Sequence, residues 1–139
     1  MNTTSALQPI NYVAGGTIEP CRFVIHSTAT KTVTQAAAVT SPYAGISQEG
    51  SAAPPISGAA TAAATSGTGL RVYGPGEECT LEIGSGGVTA GDMLVSDSSG
   101  KGITRSAYNS ANVQFVGAIA LETASAGELA RVRVVLFNY

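Results

Sequence analysis

The residues that could do chemistry are few, and their spacing does not form a reaction centre. Glu77 and Glu78 are adjacent carboxylates, but neighbours in an extended chain point to opposite faces and cannot act together as acid and base. Asp92 and Asp97 lie five residues apart beside two serines. That spacing lacks the alternating oxygen ligands and the closing glutamate of an EF-hand loop. The sequence therefore predicts neither a carboxylate pair nor a metal site.

The nucleophilic and imidazole side chains do not group into a catalytic motif either. His26 is the single histidine and lies in a strand-like stretch, where we expect a structural role. Glycine-framed serine, P-loop, zinc-protease, dinucleotide and paired-cysteine zinc motifs do not occur in the sequence. Cys21 and Cys79 can pair if their strands meet, or can remain buried thiols, which are commoner in an unsecreted chain. We expect a protein that is not an enzyme and that uses no cofactor.

Composition narrows the possible partners. Only 12% of the 139 residues are charged, about half of the ~25% usual for soluble domains. With a net charge of −2, copies repel one another weakly, which favours a surface covered by partner chains; a small monomer coated with serine and threonine is the alternative. Seven scattered basic residues are outnumbered by nine acids, so nucleic acid is not an expected partner. Neither a membrane span nor a signal segment is expected.

The first sixteen residues are predicted to form an extended arm ahead of one β domain, residues 17–139. The segment carries no charged side chain. Its apolar residues, Leu7, Ile10, Tyr12 and Val13, are too few to hold it firmly on its own domain. We expect it to become ordered on a partner, for example as a strand added to a sheet edge. A frayed terminus without a role is the alternative.

Residues 50–69 are the one clear break in composition. They carry no charge and contain seven alanines, with Pro54 and Pro55 near the start. We interpret them as a long loop whose alanine-rich centre, residues 57–65, can form a short helix only if it is packed. An uncharged loop of this length suits contact with protein. Pro54, Pro55 and Ile56 are therefore candidate contact residues.

The rest of the chain alternates short β-forming runs with turn residues. Two of these runs, Leu70–Tyr73 and Cys79–Ile83, are predicted to form a hairpin through Gly74-Pro75-Gly76. Residues 97–100 are predicted to be a turn in which Asp97 accepts backbone amides and Gly100 takes a positive φ. The predicted strands are Arg22–His26, Thr32–Thr34, Tyr43–Ser47, Leu70–Tyr73, Cys79–Ile83, Met93–Ser96, Ile103–Arg105, Phe115–Leu121 and Ala130–Phe137.

The last strand carries more apolar side chains than one buried face requires. Val132, Val134 and Leu136 are expected to face the core. Val135 and Phe137 lie on the opposite face and need a cover. A partner subunit is a natural candidate for that cover, and the chain's own loop is another.

The sequence repeats itself at low identity. Residues 15–24 align with residues 86–95 at an offset of 71, and residues 43–46 align with residues 115–118 at an offset of 72. Such a repeat predicts an all-β fold, a small barrel or sandwich of short antiparallel strands built from two similar halves. We place the halves at residues 17–83, which include the inserted loop, and residues 84–139.

Five segments share characteristic turn and strand patterns: Gly69–Gly74, Gly91–Leu94, Asp97–Gly100, Val116–Glu122 and Ala126–Val134. Together they cover most of the chain, and they resemble those of one known family, the small capsid decoration, or cement, proteins of tailed bacteriophages. The resemblance implies an all-β, commonly trimeric protein that binds the major capsid protein on the outer surface of an icosahedral head and stabilises the shell. It implies assembly in the host cytoplasm and a final location in the virion.

Two other functional classes remain open from the sequence. The chain could be another virion part of similar composition, such as a head-fibre base or a β module of the tail or baseplate. A small-ligand or enzymatic β domain is a further alternative, and it has no motif in its favour. In the first two cases the uncharged arm and the uncharged loop are the expected contact segments.

Overall fold

The computed structural model describes residues 10–38, 42–50, 62–106 and 114–138. Within these ranges the chain is all-β and contains no helix, which confirms the predicted fold class. Residues 62–65 of the possible short helix are not helical, and residues 57–61 lie outside the described ranges. The strands are β1 (Ile10–Ala14), β2 (Phe23–His26), β3 (Thr32–Gln35), β4 (Tyr43–Ser47), β5 (Gly69–Tyr73), β6 (Glu78–Glu82), β7 (Met93–Ser96), β8 (Gly102–Thr104), β9 (Phe115–Ala120) and β10 (Leu129–Asn138).

The strands form two units with the same topology. In the first unit the order β1-β3-β2-β4-β5 closes into a barrel, because β1 also pairs with β5. The second unit is a five-stranded sheet in the order β6-β10-β9-β7-β8. When β1 to β5 are matched in sequence to β6 to β10, each neighbouring pair of strands in the first unit has a counterpart in the second, and the counterpart of β1–β3 is reduced to a single bridge, Ile83↔Gly102. The predicted duplication is therefore confirmed.

Pairing registers show which residues correspond in the two units. Ile46 pairs with Phe23 on one side and Tyr73 on the other. Ile119 pairs with Met93 and Arg133 in the same way. Phe23 thus corresponds to Met93, one position away from the alignment drawn from the sequence. Glycine and threonine matches in loops set that alignment, whereas backbone hydrogen bonds set the register.

The boundary between the units differs from the predicted one. β5 does not pair with β6, so the predicted hairpin through Gly74-Pro75-Gly76 is wrong; β6 pairs instead with β10. The turn itself is present, with the Glu77 amide 3.2 Å from the Gly74 carbonyl. The Gly76 amide donates to the Val134 carbonyl at 2.8 Å, which directs the chain to the second sheet. β6 is therefore the first strand of the second unit.

The predicted arm is part of the barrel over its last residues. β1 pairs antiparallel with β5 and parallel with β3, through Val13↔Thr32 and Ala14↔Val33. Ala14 is fully buried in the barrel. The prediction of an arm through residue 16 is wrong for residues 10–15, because backbone hydrogen bonds to two strands hold them and Ala14 and Tyr12 pack in the barrel core. Residues 1–9 lie outside the described ranges.

The end of the uncharged loop also belongs to the first unit. Ala62, Ala63 and Ala64 are buried, and Ala64 forms an isolated bridge with Ile18. The second unit repeats this bridge between Val88 and Ala124. Small side chains here let two loops approach closely at the end of each unit.

Two clusters of buried side chains form the core. One fills the barrel of the first unit, with Val24, Leu70 and Val72 among its members. The other joins residues of both units: Phe23 and Ile46 from the first pack with Leu81, Val132 and others from the second. Because this second cluster is shared, the two units form one domain.

The first unit also closes a gap in the second. β6 and β8 are joined by only one parallel bridge, Ile83↔Gly102. The corresponding strands of the first unit, β1 and β3, pair over two residues. The Glu82 amide donates to the Cys21 carbonyl at 3.0 Å, and the Phe23 amide donates to the Gly100 carbonyl at 2.8 Å. Residues 21–23 thus connect the end of β6 to the turn that precedes β8 and give these backbone groups partners.

Candidate functional site

A cluster of three partly buried charged side chains joins the two units. Arg22 of the first unit contacts Glu82 at 2.7 Å, and Lys101 contacts the same carboxylate oxygen at 3.2 Å. Arg22 also donates to the Ser99 carbonyl at 2.8 Å. The Arg22 side chain is only 13% exposed, so this cluster stabilises the interface between units and leaves little charge for a ligand.

A second polar cluster fixes Glu49 of the first unit against β6. Its carboxylate accepts the amide and the hydroxyl of Thr80, at 3.1 and 2.5 Å, and the hydroxyl of Tyr73 at 3.3 Å. The Thr80 hydroxyl lies 3.3 Å from the Cys21 sulfur. Each oxygen of Glu49 has a partner within the protein, which indicates a structural carboxylate.

Cys21 and Cys79 are free and buried, in line with the interpretation as buried thiols. Burial is the main cause that raises the pKa of both, and the Glu49 carboxylate adds to it; the pKa of Cys79 rises to about 12. A thiol with so high a pKa is protonated at neutral pH and is a poor nucleophile.

The other candidate residues of the sequence are also used locally. Asp97 accepts the amides of Ser99 and Lys101 at 2.8 and 2.9 Å, and Gly100 has a φ of 79°, which confirms the predicted turn. Asp92 accepts the Thr89 amide and the Thr104 hydroxyl, both at 2.9 Å. These carboxylates hold turns of the second unit.

Asp92 and Thr104 border an open groove of about 560 Å³ in the second unit. Loop residues 86–89 and 123–126 form the rest of its lining. The groove contains hydroxyl and backbone groups and one carboxylate that is already hydrogen bonded. Nothing in it pairs a nucleophile with a base.

Glu77 and Glu78 are separated as expected from an extended chain. Glu77 accepts the Gly74 amide at 2.9 Å, while Glu78 pairs with Arg133 at 2.8 Å on the exposed side of the sheet. The hydrogen bond from Arg133 lowers the pKa of Glu78. His26 is exposed, and its ring contacts the edge of Tyr12 at a centroid distance of 5.8 Å.

The predicted contact residues fall into three groups. Tyr12 and Val135 are half-buried and Val13 is 40% exposed. Ile10 and Phe137 are described by their backbone, in β1 and β10. The remaining four, Leu7, Pro54, Pro55 and Ile56, lie outside the described residues.

Leu136 packs against the shared core, as expected for the inward face of the last strand. The register of β10 against β9 shifts between Val134 and Phe137. This bulge interrupts the simple alternation that placed Val135 and Phe137 on one common face.

Exposed apolar side chains collect on a different surface, the outside of β7, β9 and β10. We name this surface the outer patch. Met93 and Ile119 are paired across β7 and β9, and the Leu121 amide donates to the Arg131 carbonyl at 2.9 Å. Three of its side chains are among the four large hydrophobic ones most exposed in the described residues. The outer patch consists of Met93, Ile119, Leu121, Leu129 and Arg131.

None of the five outer-patch residues is among the contact residues predicted from the sequence. Residues of the outer patch come from separate stretches of the chain. Comparing matched positions of the two halves could have identified them, but only with the correct register.

No helix long and apolar enough to cross a membrane occurs in the part of the chain that the structure describes.

Comparison with known proteins gives a structural match and no sequence match. No protein-family model matches the chain, and no curated protein matches it. Among solved structures, the fold is similar to that of the head fiber gp8.5 N base in bacteriophage phi29, with a TM-score of 0.60. The alignment covers 92% of this chain and 93% of that chain, with 17% identical residues. The two chains therefore share an all-β fold along nearly their whole length.

Proposed function

We propose that this chain is a non-enzymatic structural protein of a tailed-phage virion that binds the outer surface of the head. The observation that carries the proposal is the fold match to a head fiber base over 92% of the chain. An alignment over that length includes both units, so the similarity extends beyond a single unit to the two units together.

The internal chemistry of the chain supports a structural role. The carboxylates of Glu49, Glu82, Asp92 and Asp97 are each held by hydrogen bonds or ion pairs within the protein. The thiols of Cys21 and Cys79 are buried and their pKa values are raised. Groups committed in this way are not free to transfer protons or attack a substrate.

Two forms of this function differ in what the protein does once it is on the head. As a decoration protein, many trimeric copies would bridge neighbouring capsid subunits. Because all copies act on one lattice, weak contacts with the major capsid protein would together resist separation of the subunits. As a head-fibre base, fewer copies would hold a further component outward. The fold match favours the second form, and the resemblance in turn and strand patterns favours the first.

One experiment tests the proposal and separates its forms. Heads assembled without this protein are mixed with the purified chain, and bound copies are located by electron microscopy. Binding to the outside of heads is expected. Absence of binding at micromolar concentration would contradict the proposal.

The same complexes are then heated while DNA release is recorded. A decoration protein is expected to raise the release temperature in proportion to occupancy. A fibre base is expected to leave that temperature unchanged and to occupy a restricted set of lattice sites. Heads mixed with an unrelated β protein of similar charge serve as the control.

A further inference from the structure

Because the two units have the same strand arrangement, a comparison of matched positions shows which side chains the fold requires and which it does not. The outer patch positions Met93, Ile119, Leu121, Leu129 and Arg131 correspond by strand register to positions in the first unit. Their counterparts, in the same order, are Phe23, Ile46, Gln48, Gly69 and Arg71. Each arginine therefore lies at the same place in the same strand arrangement.

The side chains around the two arginines differ. Arg71 is flanked by Gln48, whose amide oxygen accepts the Arg71 amide at 3.2 Å, and by Gly69. Arg131 is flanked by Leu121 and Leu129, which are 39% and 54% exposed. Because the first unit forms the same strand pairing with glutamine and glycine, the fold does not require leucine at these positions.

The other two matched pairs of positions differ in how deeply their side chains are buried. Phe23 and Ile46 are completely buried, because the second unit covers them. Their counterparts Met93 and Ile119 are 36% exposed and half-buried. The surface that is a protein contact in the first unit is thus open in the second, and it keeps apolar side chains there.

Arg131 adds a charge to this apolar surface. Its guanidinium makes no hydrogen bond or ion pair with any described residue, whereas the neighbouring Arg133 is paired with Glu78. Its neighbours on this face are Leu121 and Leu129, with Thr80 opposite it on β6 and the carboxylates of Glu78 and Glu122 nearby. An arginine without an ion-pair partner beside exposed leucine side chains is typical of the centre of a protein interface. The expected complement is a carboxylate surrounded by apolar groups.

We propose that the outer patch docks this protein on the head, with Arg131 binding a carboxylate that the protein shell presents among apolar side chains. This inference rests on the proposed function. A single unpaired arginine beside acidic Glu78 and Glu122 does not fit a polyanion such as DNA. A two-fold contact between identical patches would bring two Arg131 side chains together, which disfavours a dimer through this surface. A three-fold contact would join the patch to a different surface of the next copy, and the oligomeric state measured below tests that occupant.

The test is a charge reversal with a matched control. Arg131→Glu is expected to weaken binding to heads assembled without the protein by about tenfold or more, measured by co-sedimentation. Arg71→Glu places the same change at the corresponding position of the first unit and is expected to leave binding within about twofold. Thermal unfolding of both variants establishes that they fold.

A second variant tests the apolar part of the patch. Leu121→Gln introduces the residue that the first unit uses at the matching position, so the fold is expected to be retained. Binding is expected to fall about tenfold without a change in its dependence on salt. Arg131→Glu, by contrast, is expected to change both affinity and salt dependence.

The outcomes separate this inference from the proposed function. Wild-type protein that does not bind heads would overturn the proposed function and this inference with it. Wild-type binding that Arg131→Glu and Leu121→Gln leave unchanged would overturn this inference alone, as would equal losses for Arg131→Glu and Arg71→Glu. If Leu121→Gln instead dissociates an oligomer of the free protein in sedimentation velocity, the patch contacts a second copy and the inference is wrong.

Discussion

Phe23 and Met93 occupy corresponding positions in the two units, yet Phe23 is completely buried and Met93 is 36% exposed. The ring of Phe23 stacks on Tyr43 at a centroid distance of 4.7 Å and lies in the core shared by both units. Phe23 thus contributes to the contact between the two units, whereas the matching side chain in the second unit, Met93, faces outward.

Phe23→Ala is therefore expected to lower the free energy of unfolding by about 3 to 5 kcal/mol, because it leaves a cavity in the shared core. Met93→Ala, the matched control, is expected to change it by no more than about 1 kcal/mol. Urea unfolding followed by tyrosine fluorescence measures both. Similar losses for the two variants would contradict the assignment of Phe23 to the interface between units.

Gly117 is predicted to tolerate no side chain. A Cβ atom at this position would overlap the Phe23 ring and approach Tyr43 Cδ2 at 2.8 Å. Gly117→Ala is expected to cost about 1 to 3 kcal/mol of stability, the usual range for overpacking. Gly16→Ala is the control, since a Cβ there meets no atom within 4 Å, and it should unfold at the wild-type urea concentration. An unchanged midpoint for Gly117→Ala would show that the ring moves freely.

Glu82→Gln is expected to destabilise the protein by about 1 to 3 kcal/mol. The change removes the ion-pair partner of the nearly buried Arg22, whose guanidinium still donates a hydrogen bond to the Ser99 carbonyl. A buried charge without an opposite charge to compensate it is costly. Glu78→Gln breaks the exposed pair with Arg133 and should lower the urea midpoint clearly less, because solvent screens that pair. The comparison uses urea midpoints at one salt concentration. Equal losses would mean that burial does not distinguish the two pairs.

Stability is expected to fall in alkaline solution. Burial raises the pKa of Cys79 from its ordinary 9.0 to about 12, and that of Tyr43 from 10.0 to about 12. The unfolded chain therefore ionises first, so the contribution of these two groups to stability is constant below about pH 9 and is lost as the pH rises from 9 to 12. Cys79→Ala should reduce the slope between pH 9 and 10 in urea unfolding curves. A slope equal to that of the wild type would rule out Cys79 as a source.

Deletion of residues 1–13 is expected to unfold the first unit, because it removes most of β1 and breaks pairing with both β3 and β5. Deletion of residues 1–9 leaves β1 intact and serves as the control. Circular dichroism and thermal unfolding measure the result. A folded protein without residues 10–13 would mean that β3 and β5 close the barrel by themselves.

Most strand positions, one turn and the division into two similar halves follow from the sequence alone. The alternation of apolar side chains placed most strands within one or two residues, and the Asp97–Gly100 turn followed from its own side chain and glycine. The repeat in the sequence predicted two similar halves. Each of these features depends on residues close together in the chain.

Tertiary structure decided which strands pair and which surfaces remain open. The hairpin between β5 and β6 looked correct locally, but β6 pairs with β10, more than forty residues later in the chain. β1 carries apolar residues, but its backbone hydrogen bonds to two strands distant in the chain are what make it part of the barrel. The position of Arg131 among Leu121, Leu129 and Ile119 likewise depends on register. Register and packing are set by long-range contacts, and a single strand sequence does not specify them.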